Sequence, residues 1–108
     1  MTGLKGVVCF LALAAGPVFG QDDGAATYKA KCARCHGADG TSHTFEGKMT
    51  GAAKFNDPEV VKLADADLIA VVKNGKKKMP AFAKKLTDDQ IASVVAYIHT
   101  LQAPANPQ

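Results

Sequence analysis

No apolar stretch in this chain is long enough to cross a membrane. The longest, Val7 to Phe19, falls short of the roughly 20 residues a spanning helix needs, so stable membrane insertion is not expected. Nor is there a large excess of one charge. Thirteen basic residues against ten acids give a net charge of +3, too small and too evenly mixed for general nucleic-acid binding. Internal repeats, low-complexity blocks and an alternating strand pattern are all missing, which leaves helices and loops. At 108 residues there is room for one domain, but not for a nucleotide-binding domain or a barrel.

The first 20 residues have the layout of a cleaved secretory signal. Lys5 is the one charge in Met1 to Gly6, Val7 to Ala15 are apolar apart from Cys9, and Gly16-Pro17 breaks the run. Val18-Phe19-Gly20 then supplies a cleavage site before Gln21. This reading predicts a periplasmic protein made of residues 21–108, one domain ending in a polar tail at 102–108. Cys9 lies inside the apolar stretch, where lipidation would leave the signal almost no apolar core, so lipidation is discounted. Two cysteines remain, Cys32 and Cys35. A small exported domain usually needs a disulfide, a metal or a cofactor to be stable.

The spacing predicts a first helix from about Ala25 to Arg34, capped by Asp22 or Asp23. Gly37 to Asp57 carries four glycines and little periodicity, and reads as irregular loop. A loop that long calls for something other than protein to organise it. Pro58 to Leu63 reads as a short helix with proline in its first turn, and Asp65 as the cap of another that ends at Gly75. The clearest element is the last. Thr87-Asp88-Asp89-Gln90 forms a capping box, Leu86 and Ile91 a hydrophobic staple, and Ile91, Val94, Val95, Ile98 and Leu101 an apolar helical face.

Cys32-Ala33-Arg34-Cys35-His36 is a C-x-x-C-H motif, the attachment signature of c-type haem. Two thiols three residues apart on one helical turn can each add across a haem vinyl group. The following histidine is then held at the iron. A thiol–disulfide centre would use the same cysteines, but without need of His36 and normally beside a βαβ pattern. Structural zinc would need four ligands, and His36, His43 and His99 lie at spacings unlike a zinc finger.

The sixth iron position decides the function. Met79, in Gly75-Lys76-Lys77-Lys78-Met79-Pro80, is the best candidate ligand, because a methionine between three lysines and a proline is poorly placed for core packing. Its rival role is that of a core gap-filler. Met49 is the second candidate, better suited to packing against the haem, while His43 and His99 read as surface residues.

On these residues the chain resembles the short bacterial class I c-type cytochromes, which include small carriers of photosynthetic and respiratory chains. The resemblance runs from Gly24 to Leu101. It rests on Gly24 and Tyr28 ahead of Cys-Ala-Arg-Cys-His-Gly, on Asn74-Gly75 before Lys78-Met79-Pro80-Ala81-Phe82, and on Tyr97 in the last helix. It implies an all-α fold of three to five helices with long loops wrapped around one covalent haem c. It also implies that Gly24 and Tyr28 cross the last helix near Val94 and Tyr97. Members of this family often carry a proline after the motif whose carbonyl receives the haem-histidine N–H. No proline lies between His36 and Pro58 here, so the partner of His36 is open.

Between Leu68 and Thr87 the chain holds six lysines and no acid. Such a run can be a solvated face or a steering surface. Beside Met79, Lys76, Lys77, Lys78, Lys84 and Lys85 favour docking to an acidic redox partner. The function expected is that of a monomeric, soluble periplasmic electron carrier, not an enzyme. The alternatives are a small cytochrome subunit of a dehydrogenase or oxidase complex, or a peroxidase-like or gas-binding protein with a labile sixth ligand.

Overall fold

The computed structural model describes residues 21–102, which contain six helical segments and no strand. The expected signal at 1–20 and the tail beyond residue 102 lie outside the described residues. In chain order the segments are α1 (Gln21–Lys31), α2 (Ala33–His36), α3 (Phe45–Thr50), α4 (Pro58–Val61), α5 (Asp65–Asn74) and α6 (Asp88–Gln102). The all-α class is as expected, and the segments outnumber the expected three to five for two reasons. First, α1 and α2 form an almost continuous helix interrupted at Cys32, whose N–H still reaches the Tyr28 carbonyl at 2.8 Å. Second, the presumed loop Gly37–Asp57 contains α3, capped by the Thr44 hydroxyl on the Gly47 N–H at 2.7 Å. Its large apolar residues, Phe45 and Met49, are exposed, so no buried periodic face announces this helix.

Two sequence expectations about helix starts are corrected. Helix α1 begins at Gln21, and Asp23 therefore lies inside it rather than capping a helix at Ala25. Ala64, not Asp65, is the N-cap of α5, and Asp67 reaches back to accept the Ala64 N–H at 3.3 Å. Asp65 is free to pair with His99 on α6, at 2.6 Å. The capping box of α6 is present as expected, with Thr87 and Gln90 exchanging bonds at 2.8 and 3.1 Å.

Helices α1 and α6 cross at Gly24. A Cβ there would collide with the backbone carbonyl of Ser93, so only glycine lets the helices approach this closely. Tyr28 lies one turn further on, 2% exposed, with its ring edge-on to Phe55 and tilted against Tyr97. Burial holds its phenol protonated, and the hydroxyl donates to the Gly37 carbonyl at 2.6 Å.

The buried core falls into two clusters. One comprises Tyr28, Cys32, Phe55, Val94 and Ile98; the other comprises Val72, Phe82, Leu86 and Ile91. Helix α6 serves both along its length, through Ile91 in its first turn and Val94 and Ile98 further on. Each fully buried side chain of this size contributes about 1.5–3 kcal/mol.

Candidate functional site

The Cys32–His36 turn belongs to the first cluster. Cys32 is buried and Cys35 half-buried, and neither is in a disulfide. Burial, reinforced by Cys35, pushes the Cys32 thiol up to about 11. A thiol–disulfide centre needs the opposite, a thiol whose pKa is lowered. Among the described residues no three His, Cys, Asp or Glu side chains converge, as a zinc site would require. The turn is clamped from outside by α3. Thr44 Oγ1 donates to the Cys35 carbonyl at 2.9 Å, and Gly47 passes so close to that carbonyl that a Cβ would collide with it.

His36 has a defined orientation. Its Nδ1–H donates to the Ala53 carbonyl at 2.9 Å, and its ring stacks on Phe55 at 4.6 Å between centroids. The Ala53 carbonyl is thus the acceptor for the His36 ring that the sequence left open. Burial lowers the pKa of His36 more than the Ala53 bond raises it. The ring is therefore neutral, with the Nε2 lone pair available, which is the form that ligates a metal.

Met79 belongs to the second cluster, half-buried against Val72, Phe82, Leu86 and Ile91. The flanking lysines do not keep it out of the core, contrary to the reasoning from sequence. Its loop is fixed by backbone bonds. Lys76 and Met79 exchange N–H···O bonds at 3.1 and 2.9 Å around a two-residue turn, and Phe82 and Ala83 donate to Val72 and Lys73 on α5. Gly75 closes the loop against the Met79 carbonyl, which a Cβ would approach to 2.7 Å.

Other candidates stand apart. Met49 is 63% exposed on α3, next to Phe45 at 74%. His43 is exposed and bonded to Thr41, while His99 is exposed and bonded to Asp65 and Gln102. Lys76, Lys77, Lys78, Lys84 and Lys85 are all exposed, and among the described residues none of them lies within ion-pair distance of a carboxylate. Lys73 differs, pairing with Asp88 at 3.4 Å. Ala53, Phe55, Ser42 and Thr44 were not foreseen as parts of the site. Three of these contribute through hydrogen bonds that no spacing encodes; only Phe55, an isolated aromatic in a glycine-rich stretch, carried a signal.

Paired thiols and a neutral imidazole on one cluster, with a thioether on the other, fit a flat apolar group that the thiols would bond covalently and the imidazole and thioether would ligate. These features define a c-type haem protein. The comparisons agree. The family model described as cytochrome c oxidase, cbb3-type, subunit III matches residues 20–98. Cytochrome c6 of Nostoc sp. (strain PCC 7120 / SAG 25.82 / UTEX 2576) is 35% identical over 98 residues, covering 88% of this chain and 85% of that one. Cytochrome c6 of Gloeothece citriformis is 39% identical over 89 residues, covering 76% and 74%. Among solved structures, the c-type cytochrome KustC0563 superposes with a TM-score of 0.69 at 32% identity, covering 75% of this chain and 99% of that one. Cytochrome c6 of the diatom Phaeodactylum tricornutum gives 0.59 at 29% identity, covering 77% and 94%. The chain belongs to the cytochrome c family, as a small monohaem class I c-type cytochrome. It carries one covalently bound haem c and transfers electrons to and from redox partners; it is not an enzyme. No helix among the described residues is long and apolar enough to cross a membrane.

Proposed function

We propose that the protein is a soluble periplasmic one-electron carrier, exported by a signal at residues 1–20, in which Cys32 and Cys35 hold the haem as thioethers. His36 Nε2 and the Met79 sulfur would ligate its iron. The observation that carries this reading is the neutral, oriented His36 ring, with Nδ1–H spent on Ala53 and Nε2 left free. The bound group supplies an iron that changes oxidation state by one electron. The chain does the rest. Cys32 and Cys35 prevent loss of the group, Ala53 and Phe55 fix the ring of His36, and Met79 blocks the remaining position against water and small ligands.

The exposed lysines around Met79 form the docking face for an acidic partner, steering association by long-range charge. The matching family model is named for an oxidase subunit. A free carrier is favoured because the relatives that match over most of this chain are cytochromes c6, that of Nostoc over 88% of it. Intact-mass analysis of the exported protein tests the attachment and the leader together. The expected mass is that of residues 21–108 plus one haem, and Cys32→Ala/Cys35→Ala removes the haem mass. A haem that dissociates from the wild type under denaturing conditions would contradict the attachment. For the lysine face, electron-transfer rates that stay flat between low and high ionic strength would contradict docking by charge.

A further inference from the structure

Among the described residues, two non-glycine residues have positive φ, Ser42 at +63° and Lys77 at +54°. Ser42 lies in the segment that follows His36, and Lys77 in the loop that carries Met79. Lys77 is exposed in its turn, but Ser42 is buried, 6% exposed, in a conformation that costs a residue with a Cβ about 1–2 kcal/mol. A buried serine held there calls for a compensating contact, and the hydrogen bonds show one. The Ser42 N–H donates to the His36 carbonyl at 2.7 Å, and the Ser42 hydroxyl donates to the Ala53 carbonyl at 2.7 Å. That carbonyl is the acceptor of His36 Nδ1–H. Ser42 therefore touches His36 at its backbone and, through Ala53, at its ring.

Ala53 itself needs the anchor. It is exposed, in a segment outside any helix, held by the neighbouring bonds of Ala52 to Gly47 and of Phe55 to Gly40 at 3.0 and 2.9 Å. Neither bond sets the direction of the Ala53 carbonyl, whose two lone pairs receive the imidazole N–H and the serine O–H. We propose that Ser42 is a positioning residue for the iron-ligating histidine: its hydroxyl aims the Ala53 carbonyl at His36 Nδ1–H and so sets the electron donation of the imidazole. The proposal rests on His36 being the ligand. A histidine whose N–H is firmly accepted is a stronger donor and favours the oxidised metal. Without the hydroxyl the carbonyl turns toward water, the imidazole donates less, and the reduction potential rises.

The test uses haem-loaded Ser42→Ala and Ser42→Gly. Both lack the hydroxyl, but glycine also relieves the backbone strain, so stability separates the two variants while the effect on His36 does not. Three readouts are taken: the visible spectrum, the reduction potential, and hydrogen exchange of the His36 ring N–H by NMR. We expect both variants to keep a low-spin spectrum, to have a raised potential, and to exchange the ring N–H about five- to tenfold faster than wild type, the effect of losing one net hydrogen bond. Unchanged exchange and potential in both variants, whatever their stability, would overturn the proposal and leave the ligation intact. A lowered potential with slower exchange would also overturn it, by showing that the hydroxyl competes with His36 for the carbonyl. A haem-loaded His36→Ala variant whose spectrum matched the wild type would remove the ligand assignment, and the proposal with it.

Discussion

The two loops that carry the candidate iron ligands are built by different means. Around His36 the structure is polar and crowded. Ser42, Thr44, Tyr28 and the imidazole each place a hydrogen bond on a carbonyl of the loop or of the Cys32–His36 turn, and Gly47 allows α3 to press against that turn. Around Met79 the structure is apolar and hinged on α5. A buried cluster backs the thioether, and a two-residue turn of lysines presents it. Directional bonds hold a ligand in one orientation; packing tolerates small displacements. On the proposed ligation, the comparison makes His36 the permanent ligand and Met79 the exchangeable one.

The largest effect is expected where both loops share a support, at the α1–α6 crossing. Gly24→Ala forces the helices apart against a backbone carbonyl that cannot move aside, at a cost of about 3 kcal/mol. A denaturant titration of the haem-loaded protein reads this, with loss of both ligands in one transition. Next comes Phe82→Ala, which opens a cavity in the second cluster only and costs about 3 kcal/mol. Here the sulfur-to-iron absorption should disappear at lower denaturant than the helical signal, whereas Phe55→Ala should spare that order. If both variants lost the two signals together, the loops would not differ in the way described.

A third prediction sharpens the exchangeable side. At alkaline pH a deprotonated amine from Lys76, Lys77 or Lys78 should displace Met79, and replacing all three by arginine should abolish the switch because arginine stays charged. An unaltered alkaline transition in the triple variant would exclude these lysines. The smallest effect lies away from both ligands, at the α5–α6 contact. Hydrogen bonds to Asp65 and Gln102 raise the pKa of His99 above its ordinary value of 6.5. The folded state thus binds the proton more tightly than the unfolded chain. The stabilisation is complete below pH 6.5 and fades as pH rises through the raised value. Because both side chains are largely exposed, the change is small, and Asp65→Asn should flatten it in thermal melts recorded across that range.

The parts of the molecule that were legible in the sequence are those with local chemistry. The C-x-x-C-H turn, the Thr87–Gln90 capping box and the apolar face of α6 follow from residue type and spacing, while the close approach at Gly24 was implied by the family resemblance. The organisation of residues 37–57 was not legible. Its helix α3 exposes Phe45 and Met49 instead of burying a periodic face, and its key acceptor, the Ala53 carbonyl, belongs to the backbone, which every residue has. The structure corrects the reason for which Met79 was chosen as a candidate ligand. It packs on the second cluster, and its turn position, not freedom from the core, is what makes it available.

The most direct test is the visible spectrum of the exported, haem-loaded protein in both oxidation states, wild type beside Met79→Ala. The account predicts a low-spin wild type with the weak far-red sulfur-to-iron band, and loss of that band in the variant while the covalent haem is retained. A high-spin ferric wild type, or a far-red band that survives in Met79→Ala, would contradict ligation by His36 and Met79.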